Sequence, residues 1–204
     1  MKKTIFFCLL ISVLAIPASA QNTIKMGFGI ATNLNFGNLM SQTTPFYSGA
    51  AKFILDFNNF RLEPFFGSFS NTVDYGENGT TFESIELKQS LIGVNFEYLF
   101  KKENSLFFLG MGIGKSSVSR TSKMPLNNNS SSANDYSGLV FLPTIGGEYF
   151  FAPEFSAGIE INYPFYTLEG TDEYHYGNSN EKADQKMTGS GLFTYLTVKY
   201  FFAY

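Results

Sequence analysis

The chain has 204 residues, one domain's worth, with a formal net charge of −3 and a single cysteine. That leaves no disulfide framework and no basic nucleic-acid footprint. After the first residues no apolar run reaches the roughly 20 residues of a membrane helix, so the chain either folds in water or crosses a membrane as a closed barrel.

The opening MKKTIFFCLLISVLAIPASA has a basic start at Lys2 and Lys3, an apolar run over Ile5 to Ile16 and small residues at Ala18-Ser19-Ala20. It is expected to be a cleaved signal peptide over residues 1–20, leaving a barrel domain over 21–204. Cys8 would leave with it, and loss of the two lysines would take the net charge to −5. An exported, acidic chain of this kind is not expected to bind nucleic acid.

Eight stretches alternate with period two, as strands do when one face meets an apolar phase. Ile24 to Phe36 sets Ile24, Met26, Phe28 and Ile30 against Lys25, Gly27 and Gly29. Tyr47 to Phe57 sets Phe53, Leu55 and Phe57 against Lys52, Ile54 and Asp56. Phe60 to Phe69 sets Phe60, Leu62 and Phe66 against Arg61, Glu63 and Gly67. Ile85 to Phe100, Leu106 to Val118, Tyr136 to Phe151 and Phe155 to Tyr163 repeat the scheme. Their second faces carry Asn95 and Glu97, then Gly110, Gly112 and Gly114, then Glu148, then Gly158 and Glu160. The eighth stretch, Leu192 to Tyr204, sets Leu196, Val198, Tyr200, Phe202 and Tyr204 against Thr197 and Lys199.

Connections alternate short and long. The short ones are Asn58-Asn59, Lys101 to Asn104 and Ala152-Pro153-Glu154; the long ones are Gly37 to Phe46, Ser70 to Ser84, Arg120 to Asp135 and Pro164 to Thr188. The long ones are rich in Asn, Ser, Gly and Thr and are expected to be loops. Short turns on one side and long loops on the other fit periplasmic turns and extracellular loops. The short turns also predict register. A turn at Asn58-Asn59 pairs Phe57 with Phe60, Leu55 with Leu62 and Asp56 with Arg61, and puts Lys52 diagonal to Glu63. Phe100 opposite Ser105 would pair Tyr98 with Phe107 and Asn95 with Gly110. Phe151 opposite Phe155 would pair Ile145 with Ile161 and Glu148 with Gly158. Each choice keeps the two faces separate. Pro64 and Pro143 fall inside predicted strands, where a bulge or weak pairing is expected.

The second face is Gly, Ala, Ser and Asn with scattered charges of both signs, which suits a narrow lumen and not a water-exposed surface. The fold is therefore expected to be all-β, an eight-stranded antiparallel up-and-down transmembrane β-barrel in the outer membrane of a Gram-negative cell. The segments RLEPFFGSF (Arg61 to Phe69), LIGVNFEYLF (Leu91 to Phe100), PTIGGEYFF (Pro143 to Phe151), FSAGIEINY (Phe155 to Tyr163) and LTVKYFFAY (Leu196 to Tyr204) resemble the small outer-membrane barrels of the OmpA/OmpX type. More closely, the chain resembles the outer membrane protein β-barrel domain proteins common in Bacteroidota. The resemblance implies that Tyr200, Phe202 and Tyr204 are read by the barrel-assembly machinery. It implies no shared reaction, because these families share architecture without one activity. The wall-anchoring role of longer relatives is not expected with Tyr204 as the last residue.

The inward charges are Lys25, Lys52, Asp56, Arg61, Glu63, Glu97, Glu148, Glu160 and Lys199. They could line a pore, but four cations against five anions read better as an ion-pair network that fills the lumen. His175, the only histidine, lies in DEYHYGN; without a held nucleophile or acid beside it, an ordinary loop histidine is the better reading. The acidic stretches Asp74 to Glu86 and Glu169 to Asp184 match no EF-hand spacing. Alternate glycines inside strands are small inward residues, not phosphate loops. No catalytic, cofactor or metal residue is expected. The function expected is a non-enzymatic, monomeric barrel with a structural or surface-interaction role, in contact with outer-membrane lipid and offering its loops to an extracellular protein or ligand. The alternatives are a narrow solute channel or carrier, and a lipid A-modifying enzyme or protease.

Overall fold

The computed structural model describes residues 24–34, 48–77, 80–124, 130–176 and 179–202. The leader, the Gly37 to Phe46 connection and Tyr204 lie outside the described residues. Ten antiparallel strands form: β1 (Ile24–Asn33), β2 (Gly49–Phe57), β3 (Phe60–Glu77), β4 (Thr80–Lys102), β5 (Ser105–Met124), β6 (Ser130–Ala152), β7 (Phe155–Asn162), β8 (Phe165–Tyr176), β9 (Ser179–Ser190) and β10 (Phe193–Phe201). Among the described residues no helix is long and apolar enough to cross a membrane.

Eight of these strands close a ring in the order β1-β2-β3-β4-β5-β6-β7-β10, and β10 pairs back onto β1. Closure satisfies every ladder group without an edge, which is what a sheet in hydrocarbon needs. The outward positions are apolar and exposed: Ile92 61%, Leu109 59%, Ile145 55% and Val198 41%. The alternate positions, Glu63, Glu97, Ser156, Thr197 and Lys199, are buried in the lumen. A monomeric water-soluble protein does not leave so continuous an apolar surface bare.

Three of the four long connections read as loops from their composition are largely strand. β3 and β4 stay paired out to Glu77 opposite Thr80, and β5 and β6 out to Met124 opposite Ser130. The stretch Pro164 to Thr188 is the β8–β9 hairpin, which pairs with the upper half of β6. Threonine suits a sheet with water on its faces, and the ladder satisfies the backbone there except along the two outer edges, where water does so. β6 changes partner at Pro143: Phe141 still faces Phe165 of β8, while Thr144 faces Asn162 of β7. Pro143 donates no hydrogen bond there, but its carbonyl accepts one from Tyr163 N at 2.9 Å.

The first turn has the expected register, with Phe57 opposite Phe60, Leu55 opposite Leu62 and Asp56 opposite Arg61. Asn58 takes a positive φ of 54° there, and Glu103 one of 50° in the next turn. Both lead two-residue turns between antiparallel strands, where left-handed backbone matches the strand twist. The second turn departs from expectation. Lys102, not Phe100, faces Ser105, so Tyr98 meets Leu109 and Asn95 meets Gly112. The shift is two residues, an even number, so both faces survive it. At the third turn Ile145 faces Ile161 and Glu148 faces Gly158, but a bulge at Phe151 puts Ala152 opposite Phe155. Pro64 weakens its ladder without a bulge: pairing of β2 with β3 stops at Lys52 opposite Phe65 and resumes in the same register at Leu55 opposite Leu62.

The lumen is not uniformly small and polar. Phe65, Leu91, Leu142, Tyr166, Phe193 and Tyr195 pack into one apolar cluster, and Leu99, Leu106 and Phe108 form a second with Phe150 beside it. Along β10 the inward order is Phe193, Tyr195, Thr197, Lys199, Phe201; along β4 it is Leu91, Gly93, Asn95, Glu97, Leu99. The charges therefore form a middle layer between two apolar ones.

Candidate functional site

The middle layer is built by inward positions of β2, β3, β4, β6, β7 and β10. Lys52, Asp56, Arg61, Glu63, Glu97, Glu148, Glu160 and Lys199 are each at most 4% exposed. Arg61 is the hub. Its Nη1 donates to Glu148 Oε1 at 2.6 Å and its Nη2 to Glu148 Oε2 at 3.3 Å, a forked pair. Nη2 also donates to Asp56 Oδ2 at 3.3 Å, and Nη1 lies 3.5 Å from Glu63 Oε1 and 3.6 Å from Glu97 Oε2. Lys52 Nζ donates to Glu63 Oε2 at 3.1 Å and to Glu160. Lys199 Nζ donates to Glu63 and lies 2.5 Å from Glu148 Oε1.

The lower apolar layer also touches the cations. The Arg61 guanidinium sits 5.7 Å from the centre of the Phe201 ring, and Lys199 Nζ 5.4 Å from that of Phe108. Both are within cation–π range. Upward, Glu160 Oε1 accepts from Asn162 Nδ2 at 2.9 Å, and Asn162 Oδ1 accepts from Thr144 Oγ1 at 2.7 Å. Glycines make the room. A Cβ on Gly158 would lie 2.4 Å from Gly147 O and 2.8 Å from Glu148 Cγ; one on Gly110 would lie 2.9 Å from Glu97 Cγ.

Glu63, Glu97 and Glu160 bring carboxylate oxygens within 4.8 Å of one another. Lys52 already bonds two of the three, so the chain's own ammonium supplies the positive charge at that point. Lys25 stands apart from the network that sequence parity grouped it with. It faces Asp56 across β1 and β2 but is exposed, and it lines a cavity of about 430 Å³ at the short-turn end with Lys101, Glu103 and Phe150. Parity gives a residue's face; depth along the strand decides its burial.

Tyr200 lies on the outward face, 4.9 Å from the Phe155 ring and 5.6 Å from that of Phe202, which stacks edge-on with Phe28. His175 sits in β8 opposite Ser131 of β6 and Asn180 of β9; its side chain lies outside the described residues. The apolar layers were missed by the alternation reading. Their signal was present as doublets such as Phe65-Phe66, Leu91-Ile92 and Phe107-Phe108, which put one large residue on each face.

The model of the outer membrane protein beta-barrel domain family matches residues 6–189. No curated protein matches the chain. Among solved structures, a major outer membrane protein from Thermus thermophilus is similar with a TM-score of 0.58 at 12% identity, covering 88% of this chain and all of that one. The attachment invasion locus protein Ail of Yersinia pestis is similar at 0.47 and 11%, covering 88% and 96% of the two chains. The outer membrane protease OmpT from Escherichia coli gives 0.46 and 13%, with 76% and 64% covered. With a family model over most of its length, a lipid-facing apolar belt and a closed ring of strands, the chain belongs to the outer membrane protein β-barrel domain family and is a protein of the outer membrane.

Proposed function

We propose that this protein is a non-enzymatic, non-conducting barrel that works by surface interaction through the sheet it raises above the membrane. The observation that carries this reading is the three-layer lumen. A conducting path needs a continuous wet lining; here an ion-pair layer is capped above by Phe65, Leu91, Tyr166 and Tyr195 and flanked below by Leu99, Leu106 and Phe108, with Asp56 reaching the cavity at the short-turn end. What the fold presents to the outside is a sheet of β3, β4, β5, β6, β8 and β9 standing beyond the points where β1 and β2 end.

That sheet has two edges. Among the described residues β9 pairs only with β8, and β3 beyond Ser68 pairs only with β4. The β9 edge carries Glu181, Lys182, Asp184 and Lys186, charges of the kind that discourage strand addition. The β3 edge from Phe69 to Tyr75 carries a single charge, Asp74. An extended segment of a partner protein can hydrogen-bond to such an edge. Planar-bilayer recording tests the closed lumen: silence at moderate voltage is expected, and steady single-channel conductance of the wild-type protein overturns the reading. Thr72→Pro and Val73→Pro test the edge, because one of two neighbouring positions must direct its N–H away from β4. One of the pair should reduce attachment of expressing cells to a protein-coated surface.

A further inference from the structure

The outward face of the raised sheet meets the lipid belt at one unusual residue. Along β5 the outward side chains run Leu109, Met111, Ile113, Lys115, Ser117, Ser119. Lys115 stands between Ile92 on β4 and Leu139 on β6, which are 61% and 56% exposed on the lipid side. The exposed ion pairs of the described residues join Lys88 to Glu86, Lys182 to Glu173 and Lys186 to Glu169; Lys115 is in none of them. An ammonium at the top of an apolar belt is held by reaching along its stem to the first anionic layer.

One outward step higher, about 7 Å along the strand, lies a shallow depression of about 420 Å³. Its lining includes Lys88, Ser90, Ser117, Ser119, Asp135 and Ser137. The register sets Ser117 between Ser90 and Ser137, and Ser119 between Lys88 and Asp135. Hydroxyls and one carboxylate on a wet face match the hydroxyls of a sugar, and Lys115 below Ser117 matches phosphate, whereas Lys88 above it is already paired with Glu86. The long hairpins of barrels of this class face outside the cell, so this level is the headgroup layer of the outer leaflet. We propose that Lys115 and the depression above it dock the phosphorylated sugar headgroup of an outer-leaflet glycolipid. The site is continuous with the lipid-facing belt and does not depend on the edge-strand reading.

The test uses the full-length protein in detergent micelles, titrated with bisphosphorylated lipid A. Saturable binding is expected. Lys115→Gln should weaken it about fivefold, the worth of one interfacial cation near an anionic surface. Lys115→Arg should restore it, and Lys182→Gln, high on the sheet, should leave it unchanged. Dephosphorylated lipid A should bind the wild type as weakly as lipid A binds the Gln variant. Inorganic phosphate at matched concentration should not compete. Absence of saturation, equal affinity in the Lys115→Gln variant, equal binding of the dephosphorylated lipid, or competition by free phosphate would each overturn the proposal.

Discussion

Replacing Arg61 with methionine removes the hub of the lumen while keeping most of its volume. Four carboxylates lie within 3.6 Å of the Arg61 guanidinium, those of Asp56, Glu63, Glu97 and Glu148. None of the four side chains is more than 4% exposed. The variant leaves two ammonium groups, Lys52 and Lys199, to face five buried carboxylates. Breaking a buried ion pair by deleting one partner costs about 3–5 kcal/mol, because the stranded charge stays desolvated. The assay is urea unfolding of the barrel in lipid vesicles, followed by the gel mobility difference between folded and heated protein. The Arg61→Met midpoint should fall by an amount equivalent to that range. Adding Glu148→Gln should recover part of the loss, since the removed carboxylate is the one Arg61 grips with both nitrogens. Lys186→Met, which breaks the exposed pair with Glu169, should leave the midpoint in place. A loss below about 1 kcal/mol in Arg61→Met would show that the remaining carboxylates are not stranded as buried charges, and the assignment of Arg61 as hub would fall.

Other outcomes follow from the same geometry. Gly158→Ala puts a Cβ 2.4 Å from Gly147 O, so it should lower stability by about 1–3 kcal/mol in the same unfolding assay. Spin labels at Leu109, Ile145 and Val198 should be quenched by lipid-borne agents, and a label at Thr121 by water-soluble ones; the reverse pattern would place the belt against protein. His175→Ala is expected to leave lipid A composition and peptide cleavage profiles of expressing cells unchanged, and a lost modification in the variant would make the protein an enzyme.

The faces of the ring were legible because lipid and lumen impose opposite demands on neighbouring residues. Stretches such as Leu109 to Gly114, large and glycine in turn, record both solvents at once. Register at Asn58-Asn59 was legible because the turn has one placement. At Lys101 to Asn104 two placements of equal parity compete, and face separation cannot choose between them. Polarity hid the raised sheet: Ser116 to Ser122 has water on one side and a polar interior on the other, so no apolar period marks it as strand. Charge pairing was legible only in part. Lys52 beside Glu63 follows from a local diagonal, whereas Arg61 with Glu148 joins strands across the lumen, a distance along the chain that no pattern encodes.

The seam between β1 and β10 is held by seven register pairs, from Gly27 opposite Phe201 to Asn33 opposite Tyr195. The earliest-made strand of the ring thus waits for the last one before it gains its second neighbour. Such a topology stores its reward at the end, since long-range closure must be reached before it is repaid. A chain cut before Tyr195 would leave the free side of β1 with no strand to meet, so the wall would have a gap where it should have a seam.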